Sequence, residues 1–169
     1  YVAAKDEHTL YALDSVSGRQ VWRYTAGARI DSPPTIDGSR ILFGCADGYV
    51  YCLRLNDGAL AWRFRAAPED LRTVAYGQVE SLWPVHGSVL VQNDIVHFVA
   101  GRSMFLDGGL VLWRLDPLSG TVLSSTVLDQ VDTSGASIQD YVSWLNMPTA
   151  LPDVLSSSGK YIYMRSQPF

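Results

Sequence analysis

The sequence predicts an all-β fold: a partial β-propeller made of four-stranded antiparallel blades, two full and two partial. Three observations predict it. First, Leu10-Tyr-Ala-Leu-Asp-Ser-Val-Ser-Gly-Arg-Gln-Val-Trp22 reads as strand, tight turn, strand, and a weaker copy runs from Val50 to Trp62. Second, the copies keep phase: Gly18 and Gly58 stand 40 residues apart, as do Trp22 and Trp62. Gly120 follows 62 residues after Gly58, one period plus an insertion of about 20 residues. A period near 40 made of short strands is that of a propeller blade. Third, most strands are near-continuously apolar, as strands packed on both faces are. A doubly wound α/β fold needs helices of about ten residues or more between strands, and the short connections cannot hold them.

Each element has its local reason. Blade 1 covers residues 1–27: a strand at 1–5, a turn at 6–8, a strand at 9–13, the turn 14–18 and a return at 19–24. Residues 26–34 cross to blade 2, which covers 33–65. There a short strand at 34–36 ends at Asp37-Gly38, and 40–45 is the second strand. Asp47-Gly48 is a strong hairpin signal leading to 49–55, and Asn56-Asp57-Gly58 turns into 59–64. Residues 66–86 form an insertion in which Pro68-Glu-Asp-Leu71 reads as the start of a short helix, with Pro in its first turn. Blade 3 covers 87–128, with strands at 87–91, 95–100, 110–115 and 121–128. A second insertion occupies 129–152. Blade 4 begins at 153–169, with a strand at 153–155, a turn at 156–159 and a second strand at 160–165.

Composition narrows the function. Of 169 residues, 47% are hydrophobic and 18% charged, a globular rather than disordered balance. The net charge of -4 argues against nucleic-acid binding, which wants a basic face. No apolar run approaches the roughly 18–20 residues of a membrane-spanning helix. The chain opens on strand-like Tyr1-Val-Ala-Ala, without a starting Met or signal peptide. It reads as part of a six- to eight-bladed parent, its partners including the rest of the same propeller; two copies closing a ring is the competing idea.

Ala12-x-Asp14-x-x-Ser17-Gly18-x-x-x-Trp22 resembles the tryptophan-docking repeat of the pyrroloquinoline-quinone-type propellers. That superfamily includes quinoprotein alcohol dehydrogenases and the scaffold lipoprotein of the bacterial outer-membrane assembly machine. The second copy keeps Gly58 and Trp62 but has Arg54 in place of Asp; the third keeps Asp116, Ser119 and Gly120 but has Ser124 in place of Trp. In this motif the Asp accepts turn N–H groups, the Gly takes a positive φ and the Trp buries a large area between blades. The resemblance implies an extracytoplasmic protein, periplasmic or secreted, and it specifies fold far more than activity. The quinone enzymes of the superfamily carry an adjacent Cys-Cys pair, which this chain lacks, so no bound cofactor is expected of it.

Strands within a blade alternate direction, so the three long loops, 66–86, 101–108 and 129–152, are expected on one face and the tight turns on the other. Long loops in compact domains carry function more often than short ones. The candidate binding residues are Arg72, Tyr76, Glu80, Arg102 and Asp107, lining a polar cleft for a protein or a small polar ligand. The competing structural reading has Trp83 and Trp144 pinning the loops, and Arg102 pairing with Asp107 or Glu80. His8, His86 and His97 lack metal-ligand spacing, with His97 read as a core histidine. Asp129-x-x-Asp132 supplies too few oxygens for calcium. No Gly-x-Ser-x-Gly elbow or phosphate loop occurs. With Asp47-Gly48 as a two-residue turn, Cys45 and Cys52 share a sheet face about 7 Å apart, too far for a disulfide, and are expected as free buried thiols. The expectation is a non-enzymatic scaffold segment that binds through its long-loop face; the alternative is a fragment of a quinone-dependent alcohol dehydrogenase.

Overall fold

The computed structural model describes residues 1–131, 152–164 and 167–168. Strands β1 (Val2–Ala4), β2 (Thr9–Leu13) and β3 (Gln20–Thr25) form the first sheet. The second holds β4 (Thr35–Asp37), β5 (Arg40–Gly44), β6 (Tyr49–Arg54) and β7 (Leu60–Arg65). A separate hairpin follows, β8 (Arg72–Ala75) with β9 (Gln78–Ser81). The third sheet holds β10 (Leu90–Gln92), β11 (Ile95–Ala100), β12 (Leu110–Leu115) and β13 (Val122–Leu128). The fourth holds β14 (Leu155–Ser158), β15 (Tyr161–Met164) and β16 (Gln167–Pro168). All pairings are antiparallel and follow chain order, the architecture of propeller blades. No helix among the described residues is long and apolar enough to cross a membrane.

The hydrophobic core lies between the sheets, in three parts. Leu10, Ala12 and Trp22 of the first blade meet Ile41, Phe43, Tyr51 and Leu53 of the second. The other face of the second blade, Leu42, Val50 and Cys52, meets Val89, Val96 and Phe98 of the third. Val99, Leu110 and Leu112 then meet Leu155, Ile162 and Met164 of the fourth. Successive strand residues point to opposite faces. That is why β5 and β6 are apolar throughout their middles.

The three repeated turns share one backbone bond although their sequences differ. Gly18, Gly58 and Gly120 each donate to the carbonyl four residues back, at 2.9 Å. Asp14 Oδ1 accepts from Ser17 N and Ser17 Oγ, both at 2.7 Å; Asp116 does the same for Ser119 at 2.8 Å. Arg54 cannot accept those bonds. In the second turn Asp57 stands at the position of Ser17; it accepts from Ala59 N at 3.1 Å, as Ser17 Oγ does from Arg19 N, and pairs with Arg54 at 2.6 Å. Trp22 lies across Gly58 and donates Nε1–H to Leu55 O at 3.1 Å. A Cβ on Gly58, whose φ is +70°, would sit 2.5 Å from the Trp22 ring. Trp62 repeats the arrangement over Gly120, donating to Pro117 O at 3.0 Å.

Three sequence expectations fail locally. The loop between β5 and β6 is not a two-residue turn. Cys45 N bonds Tyr49 O at 3.0 Å, leaving Ala46-Asp47-Gly48 as a three-residue loop with Gly48 at φ +84°, a left-handed bulge position that favours glycine. The register moves by one residue, pairing Phe43 with Tyr51 and Leu42 with Cys52. Cys45 and Cys52 therefore occupy opposite faces and separate cores rather than sharing one. The residues after Pro68 start no helix; they lead into β8. Ser156–Ser158 is strand rather than turn, and the chain reverses at Gly159-Lys160.

Both cysteines are free and fully buried. Burial is the main cause pushing both thiols up, Cys52 to about 11 and Cys45 further. A buried, protonated thiol is a poor nucleophile. Ellman titration is expected to find neither thiol in the native protein within minutes and both after denaturation. Prompt native reaction of either would contradict the packing.

Candidate functional site on the long-loop face

Backbone bonds stitch the connections of one face together. The crossing segment reaches the β5–β6 loop through Ala46 N to Arg29 O at 2.8 Å. That loop reaches the insertion through Ser81 N to Ala46 O at 2.8 Å and Val85 N to Cys45 O at 3.1 Å. The next loop joins through Gly101 N to Pro84 O at 3.0 Å. Residues 26–34, 45–48, 66–86 and 101–109 thus lie on one face. Residues 132–151, with Asp132, Gln139, Asp140, Tyr141 and Trp144, fall outside the described residues.

At the centre of this face sits a charged cluster. Arg29 is 2% exposed. It donates Nη2–H to Glu80 Oε2 at 2.5 Å, Nη1–H to Ala75 O at 3.2 Å and Nε–H to Asp31 Oδ1 at 3.3 Å. Glu80 is 3% exposed. Asp31 also takes Lys5 Nζ at 2.9 Å, and its Oδ2 lies 2.6 Å from His86 Nδ1. His86 Nε2 stands 3.9 Å from Glu80. Burial opposes the Asp31 charge, but hydrogen bonds from His86, Lys5 and Arg29 outweigh it and hold the carboxyl well below the usual range. Lys5, Arg29, Asp31, Tyr76 and His86 line a cleft of about 220 Å³.

The hairpin β8–β9 rises from this cluster. Its two-residue turn, Tyr76 (φ +53°) and Gly77 (φ +74°), has the positive φ values of a type I′ turn. Val74 and Val79 pair across the strands, 71% and 55% exposed, and Tyr76 at the tip is 88% exposed. The Arg29 guanidinium lies 5.2 Å from the Tyr76 ring centre. His8 Nε2 and Gln78 Oε1, 3.0 Å apart, tie the other strand to the first blade.

The five candidate residues divide. Tyr76 and Glu80 belong to the cluster. Arg72 pairs with Asp70 at 3.1 Å in solvent and lines a narrow crevice with Glu80 and Asp47. Arg102 donates Nε–H to Asp107 Oδ2 at 3.1 Å, and Trp83 Nε1–H donates to Asp107 O at 2.7 Å. That pair closes the loop between β11 and β12 upon itself. Sequence reasoning missed Lys5, Arg29, Asp31 and His86 as cluster members. A signal was present: Arg29-Ile-Asp31 puts two opposite charges into a connection otherwise made of small and apolar residues.

The chemistry of the cluster is positional. Its cations and carboxylates neutralise one another and fix three loops. Cys45 and Cys52 are seven positions apart and on opposite sheet faces. Among the described residues no group of three or more His, Cys, Asp or Glu is placed to hold a metal ion.

Stacked antiparallel blades that repeat, in whole or in part, the turn of Asp14, Ser17, Gly18 and Trp22 define a quinone-type repeat propeller. Solved structures agree on that fold. The quinohemoprotein alcohol dehydrogenase of Comamonas testosteroni matches 96% of this chain and 27% of its own, with a TM-score of 0.66 at 16% identity. The enzyme ADHIIG of Pseudomonas putida HK5 matches 91% and 25%, with a TM-score of 0.65 at 16% identity. The outer membrane protein assembly factor BamB of Xanthomonas campestris is 37% identical over 101 residues, which is 57% of this chain and 23% of that protein. The family described as outer membrane protein assembly factor BamB matches residues 1–161, and the chain belongs to it. It spans about a quarter of the length of these relatives.

Proposed function

We propose that this propeller segment is a non-enzymatic scaffold in outer membrane protein assembly, binding a protein partner through the β8–β9 hairpin on the long-loop face. One observation carries the reading. The hairpin exposes Val74, Tyr76 and Val79 together, while its base is fixed by the buried Arg29–Glu80 pair. Contiguous exposed apolar surface marks interaction sites, and tyrosine on a rigid support is a favoured anchor of interfaces. Family membership supports the assembly role and, with it, an extracytoplasmic location. The likeness to dehydrogenases, at 16% identity, speaks for fold alone.

The test places a photoreactive amino acid at position 76 of the full-length protein in bacterial cells. Crosslinking to a component of the outer membrane assembly apparatus is expected. Val16, 94% exposed on the tight-turn face, is the control position and is expected to stay unlinked. Equal crosslinking from both positions, or none from 76, sinks the proposal. Under the enzyme alternative, the full-length protein supplied with quinone and calcium would instead oxidise alcohols with a dye acceptor.

A further inference from the structure

We propose that the gap between the third and fourth blades is a binding site for a small oxyanion, carboxylate or phosphate, held by Arg114 and Lys160 beside the buried imidazole of His97. Comparison of the blades points to it. Each outer strand carries a register irregularity, after Ala12, Cys52 and Arg114, and this aligns the blades residue by residue. The cross-strand row at that level is Leu42–Cys52–Trp62 in the second blade and Ala12–Trp22 in the first. In the third blade it is His97–Arg114–Ser124. One wholly apolar row, closed by an indole, is thus replaced by a polar row with no indole.

A cavity of about 180 Å³ lies there, lined by Gln92, His97 and Arg114 of the third blade and Lys160 of the fourth, with Leu112 and Ile162 as apolar wall. Gln92 Nε2–H donates across the gap to Gly159 O at 3.1 Å. His97 is 5% exposed, and its Nδ1 has no hydrogen-bond partner among the described residues. Buried polar atoms are normally satisfied, so an orphan calls for a partner. Among the described residues neither Arg114 nor Lys160 has an acidic partner. Burial, then the Arg114 charge, lowers His97 to about 4. The ring is neutral at pH 7 and adds no third charge to those of Arg114 and Lys160. Two cations lining a cavity of this size suit a small oxyanion.

The test is isothermal titration of the full-length protein with inorganic phosphate and, separately, butyrate, at constant ionic strength. Saturable binding of at least one is expected at millimolar or lower concentration. Which one saturates identifies the ligand class. Arg114→Gln and Lys160→Gln are each expected to weaken it at least tenfold. Arg63→Gln, on the second blade, is expected to leave it unchanged. Thermal unfolding confirms that each variant is folded. No saturable binding of either anion overturns the proposal, as does binding that survives both substitutions.

Discussion

Replacing Glu80 with alanine is expected to lower the unfolding free energy by about 3–5 kcal/mol, the usual cost of removing one partner of a buried ion pair. The guanidinium it leaves behind is 2% exposed. Asp31, at 3.3 Å, already shares its charge with Lys5 and His86 and compensates only in part, which sets the expectation toward the lower end. The loss has a location. Arg29 also bonds Ala75 O, at the end of β8, so the hairpin should loosen before the blades do. Limited proteolysis is expected to cut the variant between residues 70 and 80 under conditions where the parent is resistant. Urea unfolding at pH 7 gives the free energy. A loss below about 1 kcal/mol would mean that the pair behaves as a surface ion pair, and the rigid base assigned to the hairpin would go with it.

The second large effect is Trp22→Ala, at about 3–5 kcal/mol. The indole is 8% exposed, tops the core between the first two blades and holds Leu55 O. Trp22→Phe keeps most of the apolar area and isolates the lost N–H bond, at about 1 kcal/mol beyond the packing change. The close approach of Gly58 gives a sharper check. Gly58→Ala is destabilising alone, because of both its φ and its contact with the ring. In the Trp22→Ala background the contact part disappears, so the double-mutant cycle should show coupling on the order of 1 kcal/mol or more. Strictly additive losses would mean that the ring does not rest on the turn.

The repeat was legible because its information is local. Asp14, Ser17 and Gly18 bond within one turn, and any copy of that turn folds the same way. The second turn shows the limit of such reading: Arg54 looks like a broken motif until it is seen to pair with Asp57, which keeps the acceptor role of Ser17. The cysteine faces were misjudged because a single left-handed residue, Gly48, decides between a two- and a three-residue loop. The hairpin at 72–81 was hidden by Pro68, a real helix-start signal overridden by the alternation of Val74 and Val79 around Tyr76-Gly77. The charged cluster was the least legible part. Arg29 lies more than fifty residues before Glu80 and His86, and only the folded blades bring it to them.

The division of the core has a consequence for how the molecule shares its stability. Leu42 and Phe43 are neighbours in β5, yet they serve different cores. The second blade is therefore common property of two interfaces, and the free energy behaves as a chain of nearest-neighbour terms rather than one pool. A substitution at Leu42 and one at Phe43, adjacent in sequence, weaken opposite sides of the same sheet. Damage at either interface deprives the other of its support. Blades 2 and 3, each packed on both faces, should accordingly be the last parts of this segment to exchange their amide protons, with protection falling away toward blades 1 and 4.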